Sequence, residues 1–395
     1  MMNNMSVLYK AELKKIFSKK AVWIATILGL IIILLAGFTN LSADGAKAYV
    51  KYQEDTLTAL SGQEMDAAFF EEYHRLIEKE LEEHPERYEN IFANDPGAAY
   101  MNASANVGMD ALYDYFYNVI RDRSMIPGMT EDEFYASMRN DIEHDGVEIG
   151  CSREEIDTWL KIYDGIEKPI SYSYALAYVN ILDVLFLIGW GLVLIIAIAL
   201  SGVFADEKTY RTDALVLSTK NGRIPICMVK IAAGVTFAVV QTLLFLGVCF
   251  GVMFAFYGVT GWDAMIQNVI PSSPWNITIG MMVLIYVGLA VLVGIFFAVT
   301  NMILSHLTKS AVATTAIHAA IVFAGLFNVP TKLGLMAKLW ELRPTMALYY
   351  GTFCNTYMYG QLNNVQMSVI IYLSLAIIFA TILVISYRRS QIESR

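Results

Sequence analysis

Long runs without a charged side chain constrain this chain more than any other feature. Ala21 to Phe38, Ile231 to Trp262, Ala264 to Thr308, Ser310 to Thr331 and Pro344 to Tyr387 contain no Asp, Glu, Lys or Arg; Ser171 to Ala205 contains one, Asp183. A helix rising about 1.5 Å per residue needs roughly 20 apolar residues to cross the hydrocarbon of a bilayer. Within lipid the backbone must satisfy its own N–H and C=O groups, so such runs fold as helices. Spans are expected near residues 21–40, 174–204, 229–257, 277–304, 309–328 and 367–387, which makes an all-α membrane protein with six transmembrane helices. Pro169, Pro225, Pro271, Pro274, Pro330 and Pro344 fall at or beyond the expected ends, where a missing N–H does least harm.

Charge is divided unevenly. From Asn40 to Ser171 there are 29 acids against 11 bases, a net of -18; the remainder holds 8 acids and 17 bases, a net of +9, and together they give the overall -9. Lysines and arginines collect before the first run (Lys10, Lys14, Lys15, Lys19, Lys20), between the second and third (Lys208, Arg211, Lys220, Arg223, Lys230), at Lys309, and at the end (Arg388, Arg389, Arg395). With six spans these segments share one side, and the bias of basic residues makes that side the cytoplasm. Both termini are then expected inside, in the plasma membrane of a bacterial cell. Residues 41–171 form an acidic extracellular domain between spans one and two. Lys332, Lys338 and Arg343 fall on the outer side, where an interfacial helix with snorkelling bases is expected within an outer segment, 330–366.

The extracellular domain reads as mostly helical. Phe69, Tyr73, Leu76, Ile77 and Leu81 recur on one helical face. Thr130–Glu133 and Ser152–Glu155 have capping-box spacing, and Asp145–Gly146 and Asp164–Gly165 are candidate helix ends. Its acid is either a solvated face or a field that steers a cationic ligand. His74, His84 and His144 lack the spacing of a metal motif, and no metal is expected. Topology allows only Cys151 and Cys354 to meet, and free thiols are the expectation for all four cysteines.

Residues 1–20 form a basic lead in which Tyr9, Leu13, Ile16 and Phe17 repeat at helical spacing with lysines elsewhere. An amphipathic elbow helix is expected, lying in the inner headgroup layer, with residues 21–40 acting as an anchor and not a cleaved leader.

No enzyme signature is present. The phosphate loop G-x-x-x-x-G-K-[ST], the G-x-S-x-G elbow, H-E-x-x-H and Cys-x-x-Cys are all missing, so the chain is expected to be a non-enzyme with no cofactor of its own. Its most specific segment is the basic link from Val203 to Lys230, "VFADEKTYRTDALVLSTKNGRIPICMVK". A helix from about Asp206 to Thr219, a break at Asn221–Gly222 and a restart at Pro225 would make a compact cytoplasmic handle.

That link resembles the inner link of permease subunits of type-2 ATP-binding-cassette exporters. The pattern F-x-x-E, Gly-Thr, a Leu-rich turn ending in Ser, then Pro, Arg and Lys is matched at Phe204, Glu207, Thr212, Leu215, Leu217, Ser218, Arg223 and Lys230. Arg211 stands where the family prefers Gly, and Lys220 where it prefers Pro. The resemblance extends to the lead, the six-span count and the large domain after the first span. It implies a half-permease whose coupling link, 204–230, seats in a separate ATPase subunit that binds ATP and Mg. It further implies a second permease chain, identical or related, and re-entrant helices near Gly334 to Thr352. Phe204, Glu207, Thr212, Leu215, Leu217, Arg223 and Lys230 are the candidate coupling residues, with Glu207 and Arg223 placed across the ATPase interface or within the link.

Polar residues inside the spans complete the candidates. Asp183 is either a functional intramembrane acid or an interfacial residue, and Asn180 stands nearly a turn before it. Gln241, Asn301 and His318 fit interhelical hydrogen bonding, and are also candidates for a translocation path. Gly247-x-x-x-Gly251 permits close helix approach. The expected partners are the ATPase subunit, a second permease and the bilayer, and not nucleic acid. Export of a peptide, an antibiotic or another small substrate is the first reading; a membrane-anchored sensor with an extracellular ligand domain is the second, and an intramembrane enzyme the weakest.

Overall fold

The computed structural model describes residues 2–43, 61–92, 95–210, 224–354 and 356–393, and no strand occurs among them. Its helices are α1 (Met2–Phe17), α2 (Lys20–Ala43), α3 (Ala67–Glu83), α4 (Pro85–Phe92), α5 (Pro96–Asn106), α6 (Asp110–Val119), α7 (Glu131–Glu148), α8 (Arg153–Asp164), α9 (Leu176–Leu200), α10 (Gly202–Thr209), α11 (Ile224–Tyr257), α12 (Ile279–Thr308), α13 (Ala311–Ala324), α14 (Leu335–Trp340) and α15 (Asn364–Glu393).

Among the described residues five stretches are long and apolar enough to cross a membrane: Lys20–Thr39, Leu176–Thr209, Ile224–Tyr257, Ile279–Thr308 and Asn364–Arg389. The expected fifth span, 309–328, differs. It is a helix of only 14 residues, about 21 Å long against the roughly 30 Å of hydrocarbon. It ends at Gly325, ahead of Pro330, and the carbonyl freed there accepts from the Nε of Arg343 at 2.9 Å, while Arg343 Nη2 donates to Asn328 Oδ1 at 2.7 Å. Beyond Gly325 the chain approaches the inserted domain. It leaves α12 beside α10, and Thr331 arrives where a Cβ on Gly150 of the inserted domain would lie 3.3 Å from it.

Helices α9, α11 and α12 form the centre of the bundle, with α2 and α15 outside them and α1 lying along α11. Close approach depends on glycine at a few points. A Cβ on Gly29 of α2 would lie 2.7 Å from the Phe245 ring of α11, and one on Gly294 of α12 would lie 2.8 Å from Thr242 Oγ1. The Gly247-x-x-x-Gly251 pair, by contrast, faces open space. Gln241 Nε2 donates to Thr26 Oγ1 at 3.0 Å, joining α11 to α2. Asn301 Nδ2 meets His318 Nδ1 at 3.2 Å, joining α12 to α13.

The inserted helices have their own core, running from Met65 to Tyr174. Sequence-local chemistry builds it. Asp66 caps α3, Asp95 followed by Pro96 starts α5, and Thr130 and Ser152 start α7 and α8 with reciprocal capping boxes to Glu133 and Glu155. Gly165 closes α8 as expected; α7 instead continues through Gly146 to Glu148, and Gly150 at φ +82° turns the chain. Phe70, Tyr73, Phe116 and Phe134 meet with ring centroids 5.1 to 5.5 Å apart at its centre. All four cysteines are free.

Candidate functional site

Two places combine buried polar chemistry with candidate residues, one at each end of the bundle. At the elbow end, α10 continues α9 past Ser201, and the backbone N–H groups of Phe204 and Ala205 donate to Ser305 Oγ of α12 at 3.2 and 3.0 Å. This anchorage turns Glu207 inward. Lys230, on the first turns of α11, is only 1% exposed. Its ammonium donates to Val203 O at 2.6 Å, lies 2.8 Å from Glu207 Oε1 and 3.8 Å from Glu12 Oε2, and sits 5.1 Å from the Phe204 ring centroid.

A buried ammonium is tolerated because its donors are answered by two carboxylates and a carbonyl. The cluster ties α1, α10 and α11 together, and Phe204 extends it through its ring contacts with His306 of α12 and Tyr387 of α15. Lys19 adds a further tie, donating to Ala199 O at 3.1 Å with Asp206 at 3.7 Å.

Glu12 is the residue that the sequence reading passed over. It lies on the same helical face as Tyr9, Leu13 and Ile16, so a charge inside an apolar stripe was the available signal. That stripe is seated on protein: Tyr9 Oη donates to Thr236 Oγ1 at 2.8 Å, and Phe17 packs edge-on against Phe237 at 5.2 Å. The elbow is therefore docked on α11 through its apolar side, which the headgroup layer was expected to receive. Thr212, Leu215, Leu217, Ser218 and Arg223 lie outside the described residues, as does most of the expected 206–219 helix; its described part ends at Thr209.

At the opposite end a cavity of about 990 Å³ opens between α7, α9, the 269–272 turn and the segment from Gly325 to Asn364. Asp183 lines it, together with Asp145, Glu148 and Glu341, while Asn180 is buried and donates to Leu176 O at 3.1 Å. The floor is a segment that returns into the bundle. Leu348 is 3.0 Å from where a Gly189 Cβ would stand, and Tyr286 Oη donates to Tyr349 O at 2.9 Å.

Two of the three bases expected to snorkel here, Lys338 and Arg343, are held by protein groups instead. Lys338 donates to Glu155 Oε1 of α8 at 2.7 Å, and Arg343 is buried on the carbonyls that end α13 and α14. Partnered donors outweigh the reach to water. Glu155 also accepts from Met358 N at 2.6 Å, so one carboxylate holds the inserted domain to this segment. Burial works against that carboxylate, but the bonds from Lys338, Ser152 and Met358 prevail and hold it below its usual range.

His144, Asp145 and Glu148 bring ligand atoms within 4.8 Å of one another on α7, a grouping that a search for paired histidines could not find. Arg121 already bonds Asp145 at 2.8 Å, and His144 and Glu148 are exposed.

Helices of this length, with ionic chemistry gathered at their ends, define a multi-pass membrane protein. The chain matches the family described as ABC-2 family transporter protein over residues 6–389 and belongs to it: it is a membrane permease. No curated protein and no solved structure matches it.

Proposed function

We propose that this chain is the membrane-spanning half of an ATP-driven exporter, seated in the plasma membrane with the α1 and α10 end in the cytoplasm. A separate ATPase subunit grips residues 204–230, and a second permease chain completes the path. The short α13 and the turn after it make the sixth crossing, which leaves the inserted domain outside.

The observation that carries this reading is the Lys230 cluster within a chain that matches the family along nearly its whole length. Glu207 sits at the root of the link and bonds inward, so it transmits displacement of the link to α1 and α11. Arg223, Thr212, Leu215 and Leu217 are left as the residues that touch the ATPase. The exposed apolar side chains of α13, such as Val312 and Phe323, fit a surface that meets the second chain or lipid.

A cysteine placed at Thr209, in a chain with Cys151 and Cys354 replaced by Ser, tests the orientation. It should react with an impermeant maleimide only in inside-out vesicles. Reaction from intact cells alone would overturn the arrangement, and failure of any ATPase to co-purify would count against the coupling role.

A further inference from the structure

We propose that the 990 Å³ cavity between the inserted domain and the bundle is a binding site for an organic cation with an aromatic or aliphatic body. The size fits: pockets for drug-sized molecules run from about 300 to 1,000 Å³. The wall carries Asp145, Glu148, Asp183 and Glu341, and among the described residues no lysine, arginine or histidine lines it. Bases do stand behind it. Arg121 bonds Asp145, Arg343 lies 3.4 Å from Glu341, and His144 is 3.8 Å from Glu148. Among the described residues the wall thus carries more carboxylates than the arginines that stand behind it, and the low-dielectric walls of a cleft focus such a field.

The rest of the wall suits the body of the ligand. Phe186, Tyr349, Tyr350 and Tyr357 present aromatic rings, which attract a cation over their faces, and Leu182 and Met346 add aliphatic surface. A second observation points to an occupant. Asn364 lines the same cavity and is only 5% exposed, yet its Oδ1 has no hydrogen-bond partner among the described residues. A buried amide carbonyl left unanswered is costly, and a ligand N–H would answer it. A bare metal ion would fill little of this volume and would leave the aromatic wall without a role.

The site deepens the export reading by naming a substrate class, but binding itself needs neither ATP nor a partner. Equilibrium dialysis of tetraphenylphosphonium against the purified full-length chain in non-ionic detergent, with empty micelles as blank, tests it. One saturable site is expected, with affinity reduced about tenfold in Asp183→Asn and in Glu341→Gln at unchanged melting temperature. Tetraphenylborate, of the same shape and opposite charge, should show no saturable binding. Asn364→Leu should weaken binding of a cation that carries N–H groups, such as a protonated aromatic amine, without lowering the melting temperature; a purely structural asparagine would do the reverse. Equal binding of the two tetraphenyl ions, wild-type affinity in both charge variants, or displacement by equimolar sodium or calcium would overturn the proposal. Because ATP is absent, such a failure would leave the export reading standing, and loss of ATPase coupling would leave this site standing.

Discussion

The ammonium of Lys230 and the carboxylate of Glu207 lie 2.8 Å apart in a nearly dry pocket, across 23 residues of sequence that include the whole central part of the link. Glu12 of the elbow is the third member at 3.8 Å. A displacement of the link must therefore pull on two helices of the membrane body at once.

Removing one member of that cluster leaves an uncompensated charge in a place without water. Lys230→Met should destabilise the chain by about 3–5 kcal/mol, since breaking a buried pair costs far more than forming it gains. Combining it with Glu207→Gln and Glu12→Gln should restore much of the loss. Denaturant titration of helix content in detergent measures both; equal stability of the single and triple variants would contradict the cluster.

Glu155→Gln should loosen the hold of the inserted domain on residues 338–358 by about 1.5–3 kcal/mol, the range for a hydrogen bond to a charged group. The sign of its pH dependence follows from the carboxyl being held below its ordinary value of 4.5. Its contribution is complete above that pH and is lost as acid carries the pH down through the folded value. Hydrogen exchange around Trp159 and Thr356, whose indole-to-carbonyl bond of 2.8 Å spans the same junction, should accelerate in the variant at neutral pH.

His74 bridges three parts of the inserted domain. It contacts Tyr100 Oη through Nδ1, and its Nε2 lies 2.8 Å from Met129 O. Burial, opposed by the Met129 bond, lowers its pKa below 6.5. A depressed histidine contributes stability that is present above pH 6.5 and lost as the pH falls through its folded value. Amides near Phe69 to Ile77 should exchange faster as the pH drops below 6, after correction for intrinsic rates, and the excess should vanish in His74→Asn.

Gly294→Val should push α12 away from α11, because its Cβ would meet the buried Thr242 hydroxyl at 2.8 Å. Overpacking of this kind costs about 1–3 kcal/mol. Gly247→Val, facing open space in this chain, should cost the isolated chain far less. A larger loss at Gly247 would show that a second chain covers that face.

Much of the membrane body was legible because its signals are local. The charge-free runs and the prolines beyond their ends depend only on neighbours in the chain, as do the capping boxes at Thr130 and Ser152 that start two helices of the inserted domain. Periodicity also found the buried face of α3 at Phe69, Tyr73 and Ile77. The helix expected over 309–328 is shorter than its apolar run: Gly325 and Pro330 are local stop signals, but nothing local announces that Arg343, 18 residues later, will take the carbonyl freed at Gly325. Snorkelling was the natural expectation for Lys338 and Arg343, whose partners Glu155 and Asn328 are brought close only by folding.

The sequence alone determined that this chain enters the membrane and where its long apolar helices run, because hydrophobic length and local backbone chemistry need no long-range contact. Tertiary structure decided which charges meet. It placed Glu12 and Glu207 on Lys230, and gathered Asp183, Glu341 and Asn364 around one cavity, because ion pairs and cavity walls depend on distances that only packing sets.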